Sequence, residues 1–175
     1  LARHAPSAVA MAAGSTLVTA NFRIANPDLF GKAIGELRVH DKTGLIISRQ
    51  KHEGQIRIPT KYSILREGDV VATVGTVRDI QRGEAFFGEK AGEHLEWGPE
   101  SITMRRILVS RKHLANKTID ELDLDRRFNA QVTRLRRADI DMVARPDMRL
   151  ELGDRLRVVM PTDKAAEVAA FFGDS

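Results

Sequence analysis

The side chains in this sequence best equipped for chemistry are guanidinium and imidazole groups set on short apolar runs. Arg49 and Arg134 follow Ile47-Ser48 and Val132-Thr133, so each lies two residues beyond a β-branched apolar residue. Strict alternation puts both arginines in phase with Ile47 and Val132, on the apolar side of a strand end. A guanidinium held there needs a carboxylate, a carbonyl edge or a bound anion to satisfy its planar fork of donors. A salt bridge or strand-end cap meets that need without a ligand, and a small anion meets it as well. Arg57 and Arg136 stand on neighbouring stretches and complete a candidate anion-binding set, with His52 as a weaker member.

Catalytic patterns are missing. The sequence holds no Gly-x-x-x-x-Gly-Lys loop, Gly-x-Gly-x-x-Gly turn, His-Glu-x-x-His pair or Gly-x-Ser-x-Gly elbow. No catalytic residue is expected. His4, His40, His52, His94 and His113 are scattered without metal-ligand spacing. Asp120, Glu121, Asp123 and Asp125 lack the glycine and the closing glutamate of a calcium loop and read as a solvated helix end. No metal site or required cofactor follows from these residues.

The elements that position the arginines emerge from an internal repeat. Displaced by 85 residues, the sequence matches itself without a gap. "GKAIGEL" falls on "NKTIDEL", "LREGD" on "LELGD", and Ala85-Phe86-Phe87-Gly88 on Ala170-Phe171-Phe172-Gly173. The identities cluster, and conservative pairs such as Phe22 with Ile107 and Ser48 with Thr133 fill the spaces between. The chain divides into an extension over 1–15, a unit over 16–88, a linker over 89–100 and a second unit over 101–175. The linker carries the single Trp97, which reads as a hydrophobic anchor.

Within each unit, period-two alternation predicts a strand over 17–24 and 102–109. A short helix follows, with Ile34 and Leu37, or Ile119 and Leu122, on one face, and Asn116 is placed to cap the second copy. A second strand, over 44–50 and 129–137, runs in the first unit through the turn Lys51-His52-Glu53-Gly54 into a third strand over 55–58, ended by Pro59. In Leu-x-x-Gly-Asp, Gly68 and Gly153 supply permissive backbone, while Asp69 and Asp154 bond neighbouring amides; all four read as structural turn residues. A fourth strand, over 70–74 and 155–160, leads into an amphipathic helix starting at Thr76 or Pro161. The order predicts an α+β fold, two repeats of a small β-α-β-β-β-α sandwich with antiparallel sheets and helices on one side.

Composition agrees. A hydrophobic content of 42% supports packed cores, and the single Tyr and Trp leave them aliphatic. Cysteine is absent, in keeping with a reducing compartment. No stretch approaches the roughly twenty apolar residues of a membrane helix. The chain opens on Leu1 without signal-peptide order and reads as a piece of a longer protein. A net charge of +4, with Arg pairs at 105–106, 126–127 and 136–137, suits anionic partners in general. Nucleic acid is not expected, because acids interleave with the basic residues and stacking aromatics are missing.

"GKAIGEL", "GLIISRQ" running through a polar hairpin into "IRIP", and "LREGDVVATVG" before a terminal helix resemble a TrkA-C domain, the C-terminal lobe of RCK modules. "NKTIDEL", "AQVTRLRR" and "LELGDRLRVVM" resemble a second copy, which lacks the glycine-bearing hairpin and carries Arg145-Pro146 where the first has Ile58-Pro59. The resemblance implies a ligand-sensing, non-catalytic module. Two copies in tandem resemble the cytosolic insert of the aspartate:alanine exchanger family. That implies a regulatory role on the cytoplasmic face of a bacterial inner membrane, with the transmembrane halves of a parent transporter as partners. Pairing as a homo-oligomer or a pseudo-dimer of repeats is implied too, with a nucleotide or cyclic dinucleotide bound in the cleft between paired copies. A gating subunit for potassium uptake or a potassium channel is the alternative, and a nucleic-acid-binding module a more distant one.

Overall fold

The computed structural model describes residues 16–92 and 102–174. The 1–15 extension, Trp97 and most of the linker lie outside them.

The first unit is built on four antiparallel strands: β1 (Val18–Arg23), β3 (Ile46–His52), β4 (Gln55–Arg57) and β6 (Val70–Gly75), in the spatial order β1-β6-β3-β4. Between β1 and β3 the chain forms two short helices, Ile34–Leu37 and Val39–Thr43, where the sequence suggested one. Arg38, in the left-handed region at φ 52°, breaks them apart, and Gly44 at φ 84° ends the second. A small ladder pairs β2 (Lys32–Ala33) with β5 (Ile64–Leu65); neither strand shows in the hydrophobic pattern because two residues carry no period. The closing helix Val77–Phe87 starts in a capping box, in which the Thr76 hydroxyl accepts from Asp79 N–H and the Asp79 carboxylate accepts from Thr76 N–H.

The second unit repeats this plan with β7 (Ile102–Leu108), β8 (Gln131–Arg137), β9 (Ile140–Val143) and β10 (Arg155–Pro161), in the order β7-β10-β8-β9. The small ladder shrinks to one bridge between Thr118 and Arg149. Thr118, rather than Asn116, caps the helix Ile119–Leu122, its hydroxyl accepting from Glu121 N–H. Asn116 instead adopts φ 70°, the backbone role of Gly31 at φ 74° in the first unit. Pro161 ends β10, and a 3-10 turn, Thr162–Lys164, precedes the closing helix Ala165–Phe172. Without glycine, the β8–β9 hairpin still closes by holding Ala138 at φ 54°. Val143 and Ala144, not Arg145-Pro146, occupy the places of Ile58 and Pro59, since β9 keeps the 85-residue offset from β4.

Each unit has its own core on one sheet face. Phe22, Ile24, Leu37, Leu45, Ile47, Val71 and Phe87 form the first, and Ile107, Val109, Leu122, Val132, Leu135, Leu156 and Phe172 the second. The Phe87 ring meets Phe22 at 5.4 Å between centroids, pinning the closing helix to β1.

Candidate functional site

One backbone irregularity, present in both units, decides where the candidate arginines point. In β3, Ile47 lies opposite Thr73 and Arg49 opposite Ala72, leaving Ser48 as an extra residue. In β8, Val132 lies opposite Val158 and Arg134 opposite Arg157, leaving Thr133 extra. Each is a β-bulge, and one inserted residue reverses the alternation beyond it. Arg49 and Arg134 are therefore out of phase with Ile47 and Val132, on the outer face of each sheet. The bulged residues are buried, and their hydroxyls donate to strand carbonyls: Ser48 to Ala72 O at 3.3 Å and Thr133 to Arg157 O at 3.3 Å. A small hydroxylated residue between an apolar residue and an arginine, twice at the same offset, was the available signal for the bulges.

Burial lowers the pKa of Arg49 to about 10, so it remains charged at neutral pH. Arg134 is lowered too, first by burial and then by the charge of Arg157. Arg136 shares the outer face with Arg134 and lies opposite Arg155. Arg57, on the edge strand β4, pairs with Gln50 and so projects to the other side from Arg49.

His52 has a partner within its own unit. Asp69, 3% exposed, accepts from Arg66 N–H at 3.0 Å and Gln50 Nε2 at 3.0 Å, and its other oxygen meets His52 Nδ1. In the second unit the place of His52 is taken by Arg137. Asp154, 1% exposed, accepts from Glu151 N–H at 2.8 Å and from Arg137 Nε and Nη2, both at 2.8 Å. Gly68 at φ 84° and Gly153 at φ 90° make the turns that aim these carboxylates inward. Each Asp thus ties the turn before the fourth strand to the end of the second.

The two units meet around a cleft of about 470 Å³ whose walls obey the repeat. Ile34, Val39, Ile47 and Pro59 on one side answer Ile119, Leu124, Val132 and Ala144 on the other. This aliphatic floor is rimmed by Arg38, His40, Asp41 and Lys61 from the first unit and Asp120, Asp123, Asp125 and Asp147 from the second. Lys61 Nζ reaches Asp120 Oδ1 at 3.6 Å, an ion pair from unit to unit. His40 is held below its ordinary range, first by burial and next by Arg145 across the interface, while Asp41 and Asp147 pull the other way. None of Arg49, His52, Arg57, Arg134 and Arg136 lines this cleft. The sequence missed Arg38 and Lys61 because nothing in a linear pattern says which loops of one repeat face the other.

Among the described residues no three metal-binding side chains converge, and no helix is long and apolar enough to cross a membrane.

The chain is 38% identical over 163 residues to an uncharacterized transporter of Geobacter sulfurreducens, covering 93% of this chain and 30% of that protein. An uncharacterized transporter of Bacteroides fragilis is 33% identical over 159 residues, with 91% of this chain and 30% of that protein covered. The chain thus spans about 30% of the length of these relatives. Among solved structures, the RCK_C domain dimer of S. agalactiae BusR in complex with c-di-AMP is 28% identical, with 42% of this chain and 95% of that chain covered at a TM-score of 0.36. The TrkA-C domain itself matches twice, over residues 20–88 and 104–173, one match on each four-stranded sheet. With most of its length taken up by those two matches, the chain belongs to the TrkA-C domain family, as two tandem regulatory domains related to those of transporters.

Proposed function

We propose that this tandem pair is the cytosolic sensor of a bacterial transporter of the aspartate:alanine exchanger type, set between two membrane halves, and that a nucleotide or cyclic dinucleotide bound between the units controls it. The observation that carries this reading is the cleft, built from equivalent residues of both repeats. A ligand there touches both units at once and so reads their relative orientation. The aliphatic floor offers a flat surface for a base, and the carboxylates on the rim accept its amino hydrogens. Arg38 and Lys61 are the cations available to a phosphate. Lys61 is held by Asp120, so a phosphate that takes Lys61 over releases one tie between the units. The resulting bias is bounded by the ligand's differential affinity for the two orientations, about 1–3 kcal/mol in regulated proteins generally.

Calorimetry and thermal-shift measurements on the 175-residue chain with mononucleotides and cyclic dinucleotides test this reading. Binding that Lys61→Ala weakens and Thr60→Trp, which fills the mouth of the cleft, abolishes is the expected result. A chain that no nucleotide stabilises, or a Thr60→Trp variant that binds as the parent does, refutes it.

A further inference from the structure

The outer face of the second sheet carries an arrangement that the cleft does not use. Arg106 lies opposite Arg157 on β10, and Arg157 lies opposite Arg134 on β8. Arg155 lies opposite Arg136. Two residues along a strand is about 7 Å, and neighbouring strands are about 4.8 Å apart. Five guanidinium groups are thereby gathered over three adjacent strands. Like charges directly opposite each other destabilise a sheet, and here Arg157 faces arginine on both neighbouring strands and Arg155 faces Arg136. Asp141 on β9, opposite Arg136, is the carboxylate paired across from the set. Among the described residues, the ion pairs of this unit are made elsewhere, by Arg126 with Asp123, Arg137 with Asp154 and Glu151, Arg145 with Asp147 and Lys164 with Glu167, besides Asp120 with Lys61 across the cleft. The Nε of Arg134 is buried with no hydrogen-bond partner.

The first unit supplies the internal comparison. At the places of Arg106, Arg155 and Arg157 it has Asn21, Val70 and Ala72. Val70 and Ala72 are buried, packed with Ile56 and Ala91 as the chain leaves the closing helix and runs beside β1. The fold therefore accepts an apolar, covered outer face, and the three arginines that replace it are not needed to build the sheet. On the second unit the face is instead a recess of about 690 Å³, open to solvent and rimmed by Asp139, Asp141 and Asp174. Asp174 is occupied, accepting from Leu108 N–H at 2.9 Å.

We propose that this recess binds a soluble polyphosphate anion, with Arg106, Arg134, Arg136, Arg155 and Arg157 as its ligands. Linked phosphates carry several charged oxygens over a length that spans adjacent strands, and guanidinium forks pair with such oxygens two at a time. A single orthophosphate reaches only part of the set and binds more weakly. The site is separate from the cleft and stands whether or not a nucleotide binds there.

The test uses the whole chain and inorganic tripolyphosphate without divalent cations, followed by calorimetry. In the variant Arg155→Val with Arg157→Ala, the first unit's residues are transferred to the second. Affinity should fall about tenfold or more, because each charge-assisted hydrogen bond lost is worth at least that factor. Melting of this variant without ligand should be unchanged or higher, which separates loss of a site from loss of the fold. Arg66→Val with Arg78→Ala removes the same net charge from the first unit and should bind normally, as should Thr60→Trp in the cleft. Equal weakening by both double variants, retained binding in the first, or binding to phosphatidylglycerol vesicles alone overturns the proposal.

Discussion

Replacing Arg137 by Met tests whether the buried aspartates hold each unit together. Asp154 is 1% exposed and takes three hydrogen bonds, two of them from the Arg137 guanidinium. Met keeps most of the aliphatic volume but leaves the carboxylate with Glu151 N–H as its remaining donor. Breaking a fully buried ion pair in this way costs about 3–5 kcal/mol. The Arg137 side chain is 33% exposed, so water reaches part of the guanidinium and the vacated space, and the cost is scaled down to about 2–3 kcal/mol. At about 2–4 °C per kcal/mol for a chain of this size, the melting temperature should fall by roughly 4–12 °C. Thermal and urea denaturation followed by far-ultraviolet circular dichroism measures both quantities. Pairing Arg137→Met with Asp154→Leu removes the charge along with its partner and should recover part of the loss. A single variant that loses less than about 1 kcal/mol, the worth of an exposed ion pair, shows that the pair is not structural. A double variant no better than the single one shows that the damage came from lost packing, not a stranded charge.

Two further outcomes are expected. Gly153→Val, at φ 90°, should cost on the order of 1–3 kcal/mol with tripolyphosphate binding intact; unchanged melting would mean that the turn relaxes freely. His40 releases its proton more easily folded than unfolded, through burial and the facing Arg145, against the pull of Asp41 and Asp147. Its contribution is therefore intact above the ordinary imidazole pKa near 6.5 and is lost as pH falls below it. The parent chain should lose more melting temperature between pH 8 and pH 5.5 than His40→Gln does, and parallel curves would exclude His40.

Much of this protein was legible in one dimension. Alternation at Phe22 and Ile24, and again at Ile107 and Val109, marked the first strands, and the 85-residue offset placed their partners. The turns at Gly68 and Gly153 were readable because few residues other than glycine tolerate a positive φ, a local demand that leaves a local trace. The facing direction of Arg49 and Arg134 was not. Ser48 and Thr133 shift the register by one, and a bulge is recognised only by counting partners on the neighbouring strand. Nor could the sequence tell that His52 and Arg137 turn toward buried aspartates seventeen residues away. The gathering of Arg106, Arg134 and Arg157 into one row, and of Lys61 toward Asp120, also waits on tertiary structure. Period and turn chemistry act between near neighbours and are written in residue order. Sites are made by strands and loops brought together from distant parts of the chain, so their membership is settled only when the sheets have formed and the two units have met.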